Sequence, residues 1–103
     1  MTLEDIRRLV ITVDPQISHH RSESRTENYS YWEESRLLPY LADDRHEEAW
    51  GFTVHRYSRL EDDPIARAFF RALDADPRVA FSYLVDYDRE SGYVHHIFDC
   101  EGF

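Results

Sequence analysis

Residues 60–77 read LEDDPIARAFFRALDADP, and this stretch restricts what the chain can fold into more than any other. Asp63 is placed to accept from the open N–H groups of a first helical turn. Pro64 follows at the position where a missing N–H breaks no intrahelical bond. Ile65, Phe69 and Leu73 then recur at i, i+4 and i+8, and Ala68 and Ala72 let that face approach a sheet closely. Pro77 ends the run. The spacing predicts a helix over 64–75 with its apolar stripe turned to a sheet.

The segments on either side of this helix alternate with a period of two. In WGFTVHRY (50–57), Trp50, Phe52 and Val54 fall on one face, and Thr53, His55 and Tyr57 on the other. In RVAFSYLVDY (78–87), Val79, Phe81, Tyr83, Val85 and Tyr87 share a face; DRESG then turns the chain into a last strand, Tyr93 to Cys100. Earlier, Arg7 to Val13 is apolar and β-branched and stops at Asp14-Pro15, which favours a strand. A rival reading caps a short helix with Thr2 and places Leu3, Ile6, Leu9 and Val10 on one side. SHHRSESRTEN (18–28) holds no large apolar side chain and reads as an exposed loop, 28–34 as a strand, and DDRHEE (43–48) as a loop or frayed turn. The expectation is one α+β domain over 1–103, a small antiparallel sheet in the order β-β-β-α-β-β with the main helix on one face.

The chain carries 21 acids against 12 basic residues, all arginine, for a net charge of −9. The acids are spread evenly, eleven in residues 1–52 and ten in the rest. No basic tail or stripe offers what binding a phosphate backbone requires, which argues against direct nucleic-acid binding. A basic protein partner would instead be attracted. Cys100 is the only cysteine, so no internal disulfide can form, and a reducing compartment fits. MTLEDIRRLV lacks the apolar run of a signal peptide, and no stretch approaches membrane-spanning length; a cytoplasmic protein with no membrane contact is expected.

The one stretch dense in chemistry is GYVHHIFDCEGF. On a strand, His95 and His96 point to opposite faces and cannot share an ion. His95 and Asp99 share a face but lie ~13 Å apart, as do His96 and Cys100. No local metal clip results. If Arg89 to Gly92 form the hairpin loop, Asp86 opposes His95; a three-residue loop would place it opposite His96. A His–Asp acid/base pair of Asp86 with His95 or His96 is therefore the candidate catalytic arrangement, and a cross-strand charge pair its plainer reading. No HxH, HxxxH or CxxC spacing occurs, so His19 and His20 read as solvent-exposed, and no metal or cofactor is expected. Cys100 reads as a small buried hydrophobe, with Asp99 and Glu101 raising its thiol pKa.

Two acidic clusters flank the 50–57 strand: Asp43, Asp44, Glu47 and Glu48 before it, and Glu61, Asp62 and Asp63 after it. With Trp50 and Tyr57 between them, they suit an acidic, aromatic edge for a partner's basic groove. The functional expectation is a non-enzymatic inhibitor that mimics nucleic acid. This class spans immunity proteins, antitoxins and anti-CRISPR proteins, with a nuclease, a toxin or a CRISPR effector as the basic partner. The rivals are a small enzyme using Asp86 with His95 or His96, and a structural protein forming homodimers or larger homo-oligomers through an exposed strand edge.

Overall fold

The first eleven residues after Thr2 form a helix and not a strand. In the computed structural model, which describes residues 1–21, 27–38, 40–42 and 45–103, α1 spans Leu3–Val13. Thr2 and Asp5 make a reciprocal capping box: the Asp5 N–H donates to Thr2 Oγ1 (3.1 Å), and the Thr2 N–H donates to Asp5 Oδ2 (2.8 Å). Val10, Ile11, Thr12 and Val13 cost the helix roughly half a kilocalorie per mole each by propensity. Complete burial of Ile6 and Val10 outweighs that. The expected strand over 7–13 is thus corrected. Pro15 forces Asp14 into an extended conformation (φ −134°, ψ 98°) in either case, and here this residue is the C-cap of the helix.

The chain then runs through β1 (Ser18–His19), β2 (Tyr29–Leu37), β3 (Tyr40–Ala42), β4 (Arg45–Glu47) and β5 (Trp50–Ser58). The helix α2 (Pro64–Ala75) follows, and β6 (Val79–Tyr87) and β7 (Val94–Gly102) close the domain. The α+β class holds, with two helices and a five-stranded sheet in the order β1-β2-β5-β7-β6. All its pairings are antiparallel except β1 with β2. A two-stranded ribbon, β3-β4, extends the β2–β5 hairpin, so part of the expected 43–48 loop is strand. The first residues of the 18–28 loop likewise pair, as β1.

Both helices lie on one sheet face. Ile6 and Val10 from α1, and Phe69 and Leu73 from α2, cluster with Trp32, Phe52, Val54, Phe98 and Cys100 from the strands. On α2, Ala66 is buried along with Phe69 and Leu73, while Ile65 is only partly covered. Asp63 caps this helix as its sequence implies, accepting from the Ala66 N–H at 2.9 Å. Its carboxylate also takes two hydrogen bonds from buried Arg56, Nε to Oδ2 (2.8 Å) and Nη2 to Oδ1 (3.3 Å). Arg56 Nη1 reaches Ser30 Oγ (3.3 Å) and lies 3.8 Å from Asp14 Oδ2. One guanidinium therefore joins β5, β2, the end of α1 and the start of α2.

Among the described residues, no helix is long and apolar enough to cross a membrane.

Candidate functional site

The 88–93 turn settles the hairpin register. Asp88 N–H donates to the Tyr93 carbonyl (3.0 Å) and Gly92 N–H to the Asp88 carbonyl (2.8 Å). Gly92 supplies the left-handed backbone the turn requires (φ 75°). The loop has four residues, so Asp86 opposes His95 and not His96.

His95 and His96 do point to opposite faces, and each meets a different environment. On the face without helices, alternation along β2, β5 and β7 lines up Tyr29, Tyr31, His55, Tyr57 and His95. Tyr57 stacks on His95 (4.0 Å between centroids), and Tyr31 on His55 (4.3 Å). Tyr93 meets Tyr57 edge-on. His95 Nε2 is 2.8 Å from His55 Nδ1, so one ring donates a proton to the other. His55 Nε2 lies 3.0 Å from Thr53 Oγ1 and 3.8 Å from Glu33. With His55 holding that nitrogen, Asp86 acts on His95 as a nearby charge that favours its protonation. His95 is thus hydrogen-bonded to His55, with Asp86 opposite it across the β6–β7 pair, as one of the two expected registers has it. A groove of about 450 Å³ runs beside it, lined in part by Tyr57, Asp86, Tyr87, Tyr93 and His95.

Burial and then the neighbouring His95 lower the His55 pKa from 6.5 to about 4, and burial first of all lowers that of His95. A histidine with a depressed folded-state pKa stabilises the fold above its unfolded value of 6.5. That contribution is lost progressively as pH falls towards 4. The melting temperature of the protein is therefore expected to fall between about pH 7 and pH 5, and to fall less in His55→Phe, which keeps the stack but cannot titrate. Thermal melts across this range check it; equal pH dependence in the two proteins would remove the pair as its cause.

On the helix face, His96 is 5% exposed. Its Nδ1 meets the Tyr83 hydroxyl at 2.7 Å, and its Nε2 has no hydrogen-bond partner among the described residues. Burial lowers the pKa of this imidazole in spite of the nearby Asp63 carboxylate, which acts to raise it. His96 and Tyr83 contribute to a pocket of about 180 Å³ at the start of α2, with Glu61, Asp62, Asp63 and Phe70. Cys100 is buried, and desolvation, then Asp99, push its thiol pKa up, away from reactivity.

The acidic residues separate. Glu48 lies two residues before β5, whereas Glu61 and Asp62 follow its far end, about 27 Å away along a nine-residue strand. Glu48 is thus at the opposite end of this central strand from Glu61 and Asp62. Asp43 and Asp44 lie outside the described residues, and Glu47 is placed only through the backbone of β4. Glu48 accepts from the Trp50 indole N–H (2.6 Å), and its carbonyl accepts from the Met1 ammonium (2.8 Å). Asp62 pairs with Arg67. Tyr57 belongs to the aromatic face of the sheet, apart from either cluster.

A further group was not singled out by sequence reasoning. His19, His20 and Glu34 bring two ring nitrogens and a carboxylate within 4.8 Å of one another. The parallel pairing of β1 with β2 makes this contact between residues fifteen apart in sequence, and no local spacing signals it.

No protein-family model matches the chain, and no curated protein matches it.

Proposed function

We propose that this protein is a small acidic inhibitor that binds a basic protein and covers the surface with which that partner would hold nucleic acid. The supporting observation is the outer strand β6. Its second half is covered on neither face: Leu84 and Tyr87 are 59% exposed and Val85 55%, beside the exposed acids Asp86, Asp88 and Glu90. As the last strand in the sheet order, β6 also offers unpaired backbone groups along its outer side. Apolar side chains ringed by acids, on a domain of net charge −9, suit a partner surface that is basic around an apolar centre. The acids at 43–48 and 61–62 add to the field that draws such a partner in.

Capture on the immobilised protein at roughly 0.1 M salt, with release at roughly 0.5 M, tests the electrostatic part, because screening shortens over that range. The captured species is expected to be a nucleic-acid-binding protein that no longer binds nucleic acid while held. Val85→Arg should abolish capture. Reversing Asp43, Asp44, Glu47 and Glu48 to arginine should slow association, and His95→Gln should leave binding intact. Loss of binding in His95→Gln with retention in Val85→Arg would replace this reading with that of a small enzyme. A Val85-dependent dimer of the free protein with no captured partner would replace it with self-association.

A further inference from the structure

Adjacent residues on a strand send their side chains to opposite faces, so neighbouring histidines should not meet. His19 and His20 do meet. His20, directly after β1, holds a left-handed backbone conformation (φ 68°), unusual for a residue with a Cβ. Its N–H donates to the Trp32 carbonyl (2.7 Å), which locks the turn against β2. The result is a stack of three rings: His20 on His19 (4.0 Å), and His19 on Trp32 (4.0 Å), with Trp32 itself 2% exposed. Both Nε2 atoms are aimed at one carboxylate, His19 at 2.5 Å from Glu34 Oε2 and His20 at 3.6 Å from Oε1.

We propose that His19, His20 and Glu34 form a binding site for a divalent transition cation, zinc being the ion they fit best. Two imidazoles and one carboxylate are a donor set that zinc accepts, and three protein ligands leave a fourth position open to water. Bonds of about 2.0–2.1 Å around a tetrahedral ion put its donors about 3.3 Å apart. His19 and His20 approach different oxygens of Glu34, at 2.5 and 3.6 Å, and one donor atom from each residue lies within 4.8 Å of the others, so the side chains need to draw together only modestly to seat the ion. Trp32 supplies a rigid backing that fixes the His19 ring plane. Bound metal would fasten the two-residue strand β1 to β2, closing the sheet at the side opposite β6. This proposal is independent of the inhibitor reading.

The test uses the untagged full-length chain and zinc or cobalt(II) salts alone. Calorimetry is expected to give one zinc per chain. Cobalt(II) should produce visible d–d absorption and quench Trp32, read in a Trp50→Phe background. Glu34→Gln, which keeps the shape of the side chain, should weaken binding by about tenfold or more. His20→Gly should do the same, and since glycine suits the left-handed backbone, it should not lower the melting temperature. The double variant His55→Phe/His95→Phe should bind as the parent does. Absence of saturable binding, undiminished binding in both Glu34→Gln and His20→Gly, or loss of binding in the His55/His95 variant would each overturn the assignment.

Discussion

Replacing Phe98 by alanine is expected to destabilise the fold by about 3–5 kcal/mol, the range for truncating a fully buried phenylalanine. Phe98 has no exposed surface and sits on β7, between the β5 and β6 partners of that strand. Its ring meets Tyr83 (4.9 Å between centroids), Phe69 (6.1 Å) and Phe81 (6.2 Å), so it joins α2 to two strands at once. Three rings held on β6 and α2 cannot all move in to fill the space, and most of the cavity should persist. The loss is large against the roughly 5–15 kcal/mol that stabilises a domain of this kind. Chemical denaturation checks it: the midpoint should fall sharply at constant slope. An unchanged midpoint would mean that this core is not packed as described.

Asp63→Ala is expected to be comparably damaging, for a different reason. It removes the α2 cap and leaves the Arg56 guanidinium, itself 5% exposed, without its bidentate partner. Removing one member of a buried pair costs up to about 3–5 kcal/mol, and here Asp14 Oδ2, 3.8 Å from Nη1, is left as the only carboxylate near the guanidinium among the described residues. The double variant Arg56→Met/Asp63→Ser restores a cap and withdraws the charge, and should recover most of the loss. If it stayed as unstable as Asp63→Ala, the stranded charge would not be the cause. The same carboxylate predicts an acid limb. Desolvation pushes its pKa up, but the hydrogen bonds from Arg56 and the Ala66 N–H outweigh that and hold it below its ordinary 3.8. A depressed folded value means stabilisation that is complete above the unfolded value and lost as pH falls through the folded one. Melts below pH 4 should therefore decline more steeply in the parent protein than in the double variant.

These two expectations differ in how far the sequence alone reaches them. The α2 segment could be read residue by residue because everything that defines it is local: Asp63, Pro64, the 65/69/73 stripe and Pro77 lie within sixteen positions. The alternation in β5 and the divergence of His95 from His96 were legible on the same ground, since the period of a strand acts between near neighbours; the hairpin at 89–92 was open between a four- and a three-residue loop until the pairing of β6 with β7 fixed it. The first helix was misread where two local signals conflicted. The β-branched run Val10 to Val13 argued for a strand, and the Thr2 cap with Leu3, Ile6, Leu9 and Val10 on one side for a helix. The decision came from the pocket between α1, α2 and the sheet that buries Ile6 and Val10, a long-range contact.

The chain's own composition and short-range pattern determined its acidity and its α+β class, where its main helix begins and ends, and which strand residues share a face. Only the tertiary structure decided which residues meet across strands. The nine residues of β5 hold Glu48 and the Glu61–Asp62 pair at opposite ends of the sheet's central strand. Strand order gave His95 a histidine as its hydrogen-bond partner, and it set His19 and His20 against Glu34 through a parallel pairing of just two residues. The physical reason is that such contacts depend on the order and register of whole strands. Those are fixed by the summed burial of the core, to which the polar residues of these sites contribute little.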